Sequence, residues 1–267
     1  AIKAAGLGWN AADVFDSRER WGLPTVIKDN GKQTRLYLPK GLVIPCFATD
    51  SGEGKDHGTT HDDWKDKVIR LRIRLPKPKD GQQRYHLVAG SSLEPITWSL
   101  ERDVIIILES DLDGILIHEK AGDLVGVMTL GSTSGKPSAW QEEKLRAAKL
   151  LLLALDYDDA GIKCAWEWSR RYSNSRLWPS LIGKDAGEDY QQGVDIRAWV
   201  ETGLMKYQDM AGSPETEIER WCIANENLPG GETDFPDYKT IKEVCNGSTF
   251  KEDHQRHLQG IQGRQRA

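Results

Sequence analysis

Apolar and polar residues follow two different rhythms along the chain. Up to about residue 100 the apolar runs are short and set between turn-rich breaks: Leu36-Tyr37-Leu38, Leu42-Val43-Ile44, Val68 to Leu75 and Tyr85 to Val88. Runs of this kind predict a strand-rich region. The break from Ala48 to Thr60, which carries Asp50-Ser51-Gly52-Glu53-Gly54, predicts a surface loop. From Val104 the pattern becomes regular. A continuous apolar run, Val104 to Leu108, leads into a helical stretch through Ala121; a second run spans Leu124 to Leu130; and a helix begins near Ser138, where Pro137 and the Ser138-x-x-Gln141 spacing form a capping-box start. A third run, Leu150 to Leu155, feeds a helix from Ala160 to about Tyr172, and a short strand follows near Arg176 to Trp178. Strands that are apolar throughout and alternate with helices predict an α/β fold: a parallel sheet covered on both faces. From about Met205 the pattern is less legible, with a helix expected over Pro214 to Trp221, a loop around Leu228-Pro229-Gly230-Gly231 and Phe235-Pro236, and a polar tail after Lys251.

A length of 267 residues is enough for one large or two small domains with a real core, without disulfide or zinc staples. Mean hydropathy is −0.57, and no apolar run approaches the length of a membrane span, so no membrane association is expected. Cys46, Cys164, Cys222 and Cys245 lie far apart with no CxxC pair, which reads as reduced, buried thiols in a cytoplasmic protein. The opening Ala1-Ile2-Lys3-Ala4-Ala5 has neither a signal-peptide pattern nor an initiator Met, so secretion is unsupported and a trimmed chain is expected. The net charge of −5 argues against a generic nucleic-acid coat protein.

In an open parallel sheet, ligands sit outside the carboxyl ends of the strands. The first α/β strand runs into Glu109, with Asp111 and Asp113 after it; the third runs into Asp156, Asp158 and Asp159. A further cluster, Lys184-Asp185-Ala186-Gly187-Glu188-Asp189, follows the fourth strand. If the first and third strands are neighbours, Glu109 and the Asp156/Asp158 pair converge. Carboxylates gathered in one place repel unless a cation neutralises them, and hard oxygen ligands suit Mg²⁺ or Mn²⁺. Any one of these acids can instead be the N-cap of the next helix. Three acidic clusters at three strand ends are harder to explain that way, and they favour a shared metal site.

The charge is also uneven. Residues 65 to 84 hold eight basic side chains against Asp66 and Asp80, a net +6 that leaves −11 for the rest. On a strand, Arg70, Arg72 and Arg74 share one face while Leu71, Ile73 and Leu75 take the other. Such a row suits phosphate oxygens, which a guanidinium binds bidentately; the alternative is a solvated edge strand kept soluble by charge. The tryptophans, including Trp98, Trp140, Trp166, Trp168, Trp178 and Trp199, read mainly as packing residues. His57-x-x-x-His61 and His254-x-x-His257 read as surface histidines.

These acidic segments resemble a known family. Glu109-Ser110-Asp111-Leu112-Asp113 is similar to the Glu-Gly-x-x-Asp motif that opens a Toprim domain, with Ser110 in place of the Gly. Asp156-Tyr157-Asp158-Asp159-Ala160-Gly161 resembles the Asp-x-Asp-x-Ala-Gly form used by bacterial primases. Thr129-Leu130-Gly131-Ser132 resembles the Leu-Gly-Thr turn after the second strand, and Lys184-Asp185 with Asp189 resembles the late Lys-Asp-x-x-Asp element. Ahead of them, Gly41-Leu42-Val43-Ile44-Pro45, Ile69 to Leu75 and Arg84-Tyr85 are similar to strands of the DnaG-type primase core, with Arg84 where the family has Lys.

The resemblance implies a Toprim fold over residues 101–203, a smaller strand-rich α+β subdomain over 1–100, and a helical or irregular extension over 204–267. It also implies the catalytic core of a DNA primase, of the divergent type found in phages and mobile elements. Such an enzyme would join nucleoside triphosphates into a short RNA primer on a single-stranded DNA template, with a replicative helicase as a further partner. The site residues carried over are Glu109 and Asp113 as catalytic groups, and Glu109, Asp156, Asp158 and Asp185 as ligands of Mg²⁺ or Mn²⁺. Arg70, Arg72, Arg74, Arg84 and Lys184 would contact nucleic acid or nucleotide. A Toprim nuclease with the same metal site and a non-catalytic nucleic-acid-binding module stay open as alternatives.

Overall fold

The computed structural model of the protein describes residues 6–47, 68–78, 83–131 and 135–208. The expectations for the loop after Ala48, both histidine pairs, Cys222, Cys245, and the helix, loop and tail beyond Met210 lie outside those residues, as do Lys65, Lys67 and Lys79 of the basic window.

The first part is built of short strands: β1 (Gly8–Asn10), β2 (Val14–Asp16), β3 (Leu36–Leu38), β4 (Gly41–Phe47), β5 (Val68–Arg74) and β6 (Tyr85–Leu87). Four of them form an antiparallel sheet in the order β1-β4-β5-β6, and β2 pairs with β3 beside it. On β5 the predicted alternation holds. Ile73 is buried with Leu36 and Val88, and Leu71 packs against the same cluster.

The second part contains β7 (Ile96–Trp98), β8 (Val104–Leu108), α1 (Asp111–Ala121), β9 (Gly126–Thr129), α2 (Ala139–Ala147), β10 (Leu150–Leu153), α3 (Asp159–Arg171), β11 (Ser175–Leu177), α4 (Ala186–Gln191) and α5 (Ile196–Gln208). Its five strands lie in the order β11-β10-β8-β9-β7, parallel except for β7, which runs antiparallel to β9. Both faces are covered, which is why the central strands β8 and β10 are apolar at every position. Ile106, Leu108 and Leu152 face a cluster with Ile117 and Ala121 of α1 and Trp199 and Val200 of α5. Ile105, Ile107, Leu151 and Leu153 face the opposite way, onto Leu145 of α2 and Cys164, Ala165 and Trp168 of α3. The Ser138/Gln141 capping box is present at the start of α2.

The sheet reaches further back than residue 101, because β7 belongs to it. Three residues after Pro95 carry too little periodicity to distinguish this edge strand from those before it. Most tryptophans of this part are packing residues: Trp178 and Trp199 are fully buried with ring centroids 5.9 Å apart, whereas Trp9 and Trp21 in the first part are exposed.

A buried ion-pair cluster ties the two sheets together. Arg70 and Arg72 on β5 reach across to Asp111, the first residue of α1: Arg70 Nη2 donates to Oδ1 at 3.1 Å and Arg72 Nη1 to Oδ2 at 2.8 Å. Thr129 Oγ1 donates to Oδ1 at 3.1 Å, and Arg70 Nη1 donates to the Glu94 carbonyl at 2.8 Å. Asp111 is 1% exposed and Arg70 4%. The guanidinium row is therefore turned inward for two of its three members, because a buried carboxylate faces it. Gly131, at φ +73°, makes room for them: a Cβ there would lie 3.1 Å from Arg72 Nη1 and 3.4 Å from Arg70 Nη1. Removing one side of a buried ion pair leaves charge unpaired and costs about 3–5 kcal/mol. Asp111→Ala should lose stability on that scale in equilibrium urea denaturation, and a loss under about 1 kcal/mol would mean that the pairs are weak.

Candidate metal centre

The pairing of β10 with β8 decides the site. Because the two strands are parallel neighbours, with Leu153 opposite Ile107, the segments leaving their carboxyl ends meet. Glu109 follows β8, and Asp156 and Asp158 follow β10. Asp113 stands on the first turn of α1, and Asp185 at the N-cap of α4.

Asp113, Asp156 and Asp185 each offer a carboxylate oxygen, and these atoms all lie within 4.8 Å of one another. Asp113 is buried; the other two are partly buried. Such a set, all hard oxygen and crowded with like charge, could bind a metal ion. Asp113, carried over from the sequence as a catalytic group and not as a ligand, is thus the buried member of the trio. Glu109 and Asp158, carried over as ligands, stand beside it. Asp158 is exposed and caps α3, accepting from Gly161 N at 3.0 Å. Asp185 does both jobs: it accepts from Glu188 N at 2.7 Å and belongs to the trio.

The electrostatics follow from the crowding. Burial pushes the Asp113 carboxyl up to about 7, and repulsion from Asp185 and Asp156 adds to it, against hydrogen bonds from Ser110 and the Gly187 backbone. Burial likewise pushes Glu109 up to about 7, reinforced by Asp156 and Asp158 and opposed by Lys184 and Arg72. Asp156 is also raised by burial, although Lys184 donates to it. Lys184 places its ammonium among these acids, with Nζ 2.6 Å from Asp156 Oδ2 and 3.9 Å from both Asp158 and Asp185. Burial works against that charge, but the Asp156 hydrogen bond and the surrounding carboxylates outweigh it and raise the Lys184 pKa.

Two residues that sequence reasoning left without a role shape the site. Asp189, fully buried, accepts from Leu181 N at 2.6 Å, Ile182 N at 2.9 Å and Gly183 N at 2.7 Å. It thereby fixes the loop that delivers Lys184 and Asp185. Gly187 lets Asp113 reach the backbone of α4, since a Cβ there would lie 2.5 Å from Asp113 Oδ1. No sequence signal separates Gly187 from an ordinary small residue in a short helix. Of the remaining expected contacts, Arg74 and Arg84 are exposed and Arg72 is mostly buried, its guanidinium 4.5 Å from the Tyr85 ring centroid. Arg70 is committed to Asp111 and Glu94 and does not face solvent.

The raised carboxyls make stability depend on pH. A folded-state pKa above the unfolded value contributes stability below the ordinary carboxylate range and loses it as pH climbs to about 7. In ion-free buffer the thermal midpoint should fall across that window; Mn²⁺ should restore it at the upper end, and Asp113→Asn should flatten the slope. Gly187→Ala should weaken Mn²⁺ binding by about tenfold in calorimetric titration, as loss of a support behind a ligand does. An unchanged affinity would show that Asp113 does not need that close approach.

Neither a family model nor a curated protein matches the chain. Solved structures do. The RNA polymerase domain of Mycobacterium tuberculosis primase DnaG is 14% identical with a TM-score of 0.52, over 97% of this chain and 86% of that one. The same domain in complex with double-stranded DNA is 14% identical with a TM-score of 0.50, over 97% and 85%. A DNA primase domain from Pseudomonas aeruginosa is 18% identical with a TM-score of 0.51, over 86% and 79%. The sheet order, the flanking helices and the strand-rich part before them thus form the fold of DnaG-type primase catalytic cores.

Proposed function

We propose that the protein is a primase-type nucleotidyltransferase that joins nucleoside triphosphates into short RNA primers on single-stranded DNA. The observation that carries this reading is the trio Asp113, Asp156 and Asp185, gathered at the carboxyl ends of adjacent parallel strands in a chain with the primase-core fold. The mycobacterial neighbour crystallised with DNA supports a nucleic-acid substrate.

In the reaction, the 3′-hydroxyl of one nucleotide attacks the α-phosphate of the next, and pyrophosphate leaves. A Mg²⁺ or Mn²⁺ ion held by Asp113, Asp156 and Asp185 would supply charge neutralisation at the phosphates and a lowered pKa for the attacking hydroxyl. Glu109, at the end of β8 beside Asp156 and Asp158, is placed to take up and release a proton. Asp158 caps α3 and adds negative charge at the rim. Arg74 and Arg84, exposed on the strand-rich part, and the outer edge of Arg72 would hold phosphates of the template or triphosphate. On this reading, residues 1–100 supply the phosphate-binding face and residues 101–203 the acidic site, with 204–267 as an extension.

The decisive assay incubates the protein with single-stranded template, labelled ribonucleotides and Mn²⁺, beside Glu109→Gln. Oligoribonucleotides should form, and the variant should lose at least about 100-fold in rate, the usual contribution of a positioned acid or base. Shortened template without incorporation would instead identify a nuclease, and neither product would identify a binding module.

A further inference from the structure

The Lys184 ammonium lies inside the acidic cluster, bound to an oxygen of Asp156 at 2.6 Å and 3.9 Å from an oxygen of Asp185. Both acids belong to the trio read above as the metal site, and the inference rests on that reading. A divalent cation on Asp156 and an ammonium on the same carboxylate are like charges competing for one anion. The surroundings leave the lysine side chain, and not its backbone, free to move. The Lys184 backbone is held: its carbonyl accepts from Tyr157 N at 2.6 Å, and its N–H donates to Glu188 Oε2 at 3.0 Å. The preceding loop is wrapped around the buried Asp189. The side chain itself is 38% exposed, so its stem borders solvent and can swing with no change in the main chain.

We propose that Lys184 is a displaceable counter-cation. With no divalent ion bound, it neutralises Asp156; when the ion enters, the ammonium leaves that carboxylate and becomes available to the phosphates of an incoming triphosphate. Ion and triphosphate then bind cooperatively, because the first frees the lysine that the second uses. A static structural ion pair predicts the opposite, since removing it would loosen the site and weaken ion binding.

Three variants tested by Mn²⁺ titration, read by the electron paramagnetic resonance of free Mn²⁺, distinguish these readings. Lys184→Met should bind Mn²⁺ about fivefold more tightly than the native protein, the scale of one partly exposed ion pair removed as a competitor. Lys184→Arg, which keeps the competing charge, should stay near the native affinity. Inorganic tripolyphosphate should bind the native protein more tightly with Mn²⁺ present, and that gain should shrink in Lys184→Met. A folded Lys184→Met protein, checked by circular dichroism, with unchanged or weaker Mn²⁺ affinity would overturn the exchange. Asp156→Asn separates the two levels of inference. If it loses Mn²⁺ binding while Lys184→Met is unchanged, only the exchange fails; if it binds as the native protein does, or if no form binds, the metal site and the exchange fail together.

Discussion

Two guanidinium groups close on one buried carboxylate, and the relation between the two sheets is set at that point. Asp111 receives Arg70, Arg72 and Thr129, so a strand of the antiparallel sheet, the first residue of α1 and the end of β9 all meet on two oxygen atoms. Charges removed from water this completely depend on their opposite charges being in place. The position of α1 depends on this meeting point, and with it that of Asp113, which α1 carries into the acidic trio two residues later. One ion-pair cluster therefore serves both the packing of the molecule and the placement of its most buried candidate ligand.

Much of this architecture was readable from residues alone. The runs Val104 to Leu108 and Leu150 to Leu155 indicate strands buried on both faces, because short, almost wholly aliphatic runs alternating with helical stretches fit that arrangement. Parallel neighbours then bring their acidic ends together. The edge strand β7 was not readable, because three residues show no period. The inward turn of the arginine row was hidden for a different reason. Alternation tells which side of a strand a residue takes, but not what lies on that side, and here it is a carboxylate from 39 and 41 positions further along the chain.

The choice between helix cap and metal ligand, posed for each acid in turn, also dissolves in the structure. Asp185 caps α4 and joins the trio, whereas Asp158 caps α3 from an exposed position outside it. A cap fixes a carboxylate's backbone and one of its oxygens, leaving the second oxygen aimed by the same restraint. Capping is thus one way of pre-orienting a ligand, and spacing in sequence does not tell the two uses apart.

The inward-facing arginines have a mechanical consequence. A clamp that opens and shuts needs a seam that can part, and here the seam is closed by a largely buried cluster, with Gly131 packed closely beside it. Tied at that point, the two sheets are built more like a jig than like jaws. A ligand touching both parts of the molecule would therefore meet a frame whose two sheets are tied together at Asp111. Adjustment to it is then left to long, partly exposed side chains such as Lys184.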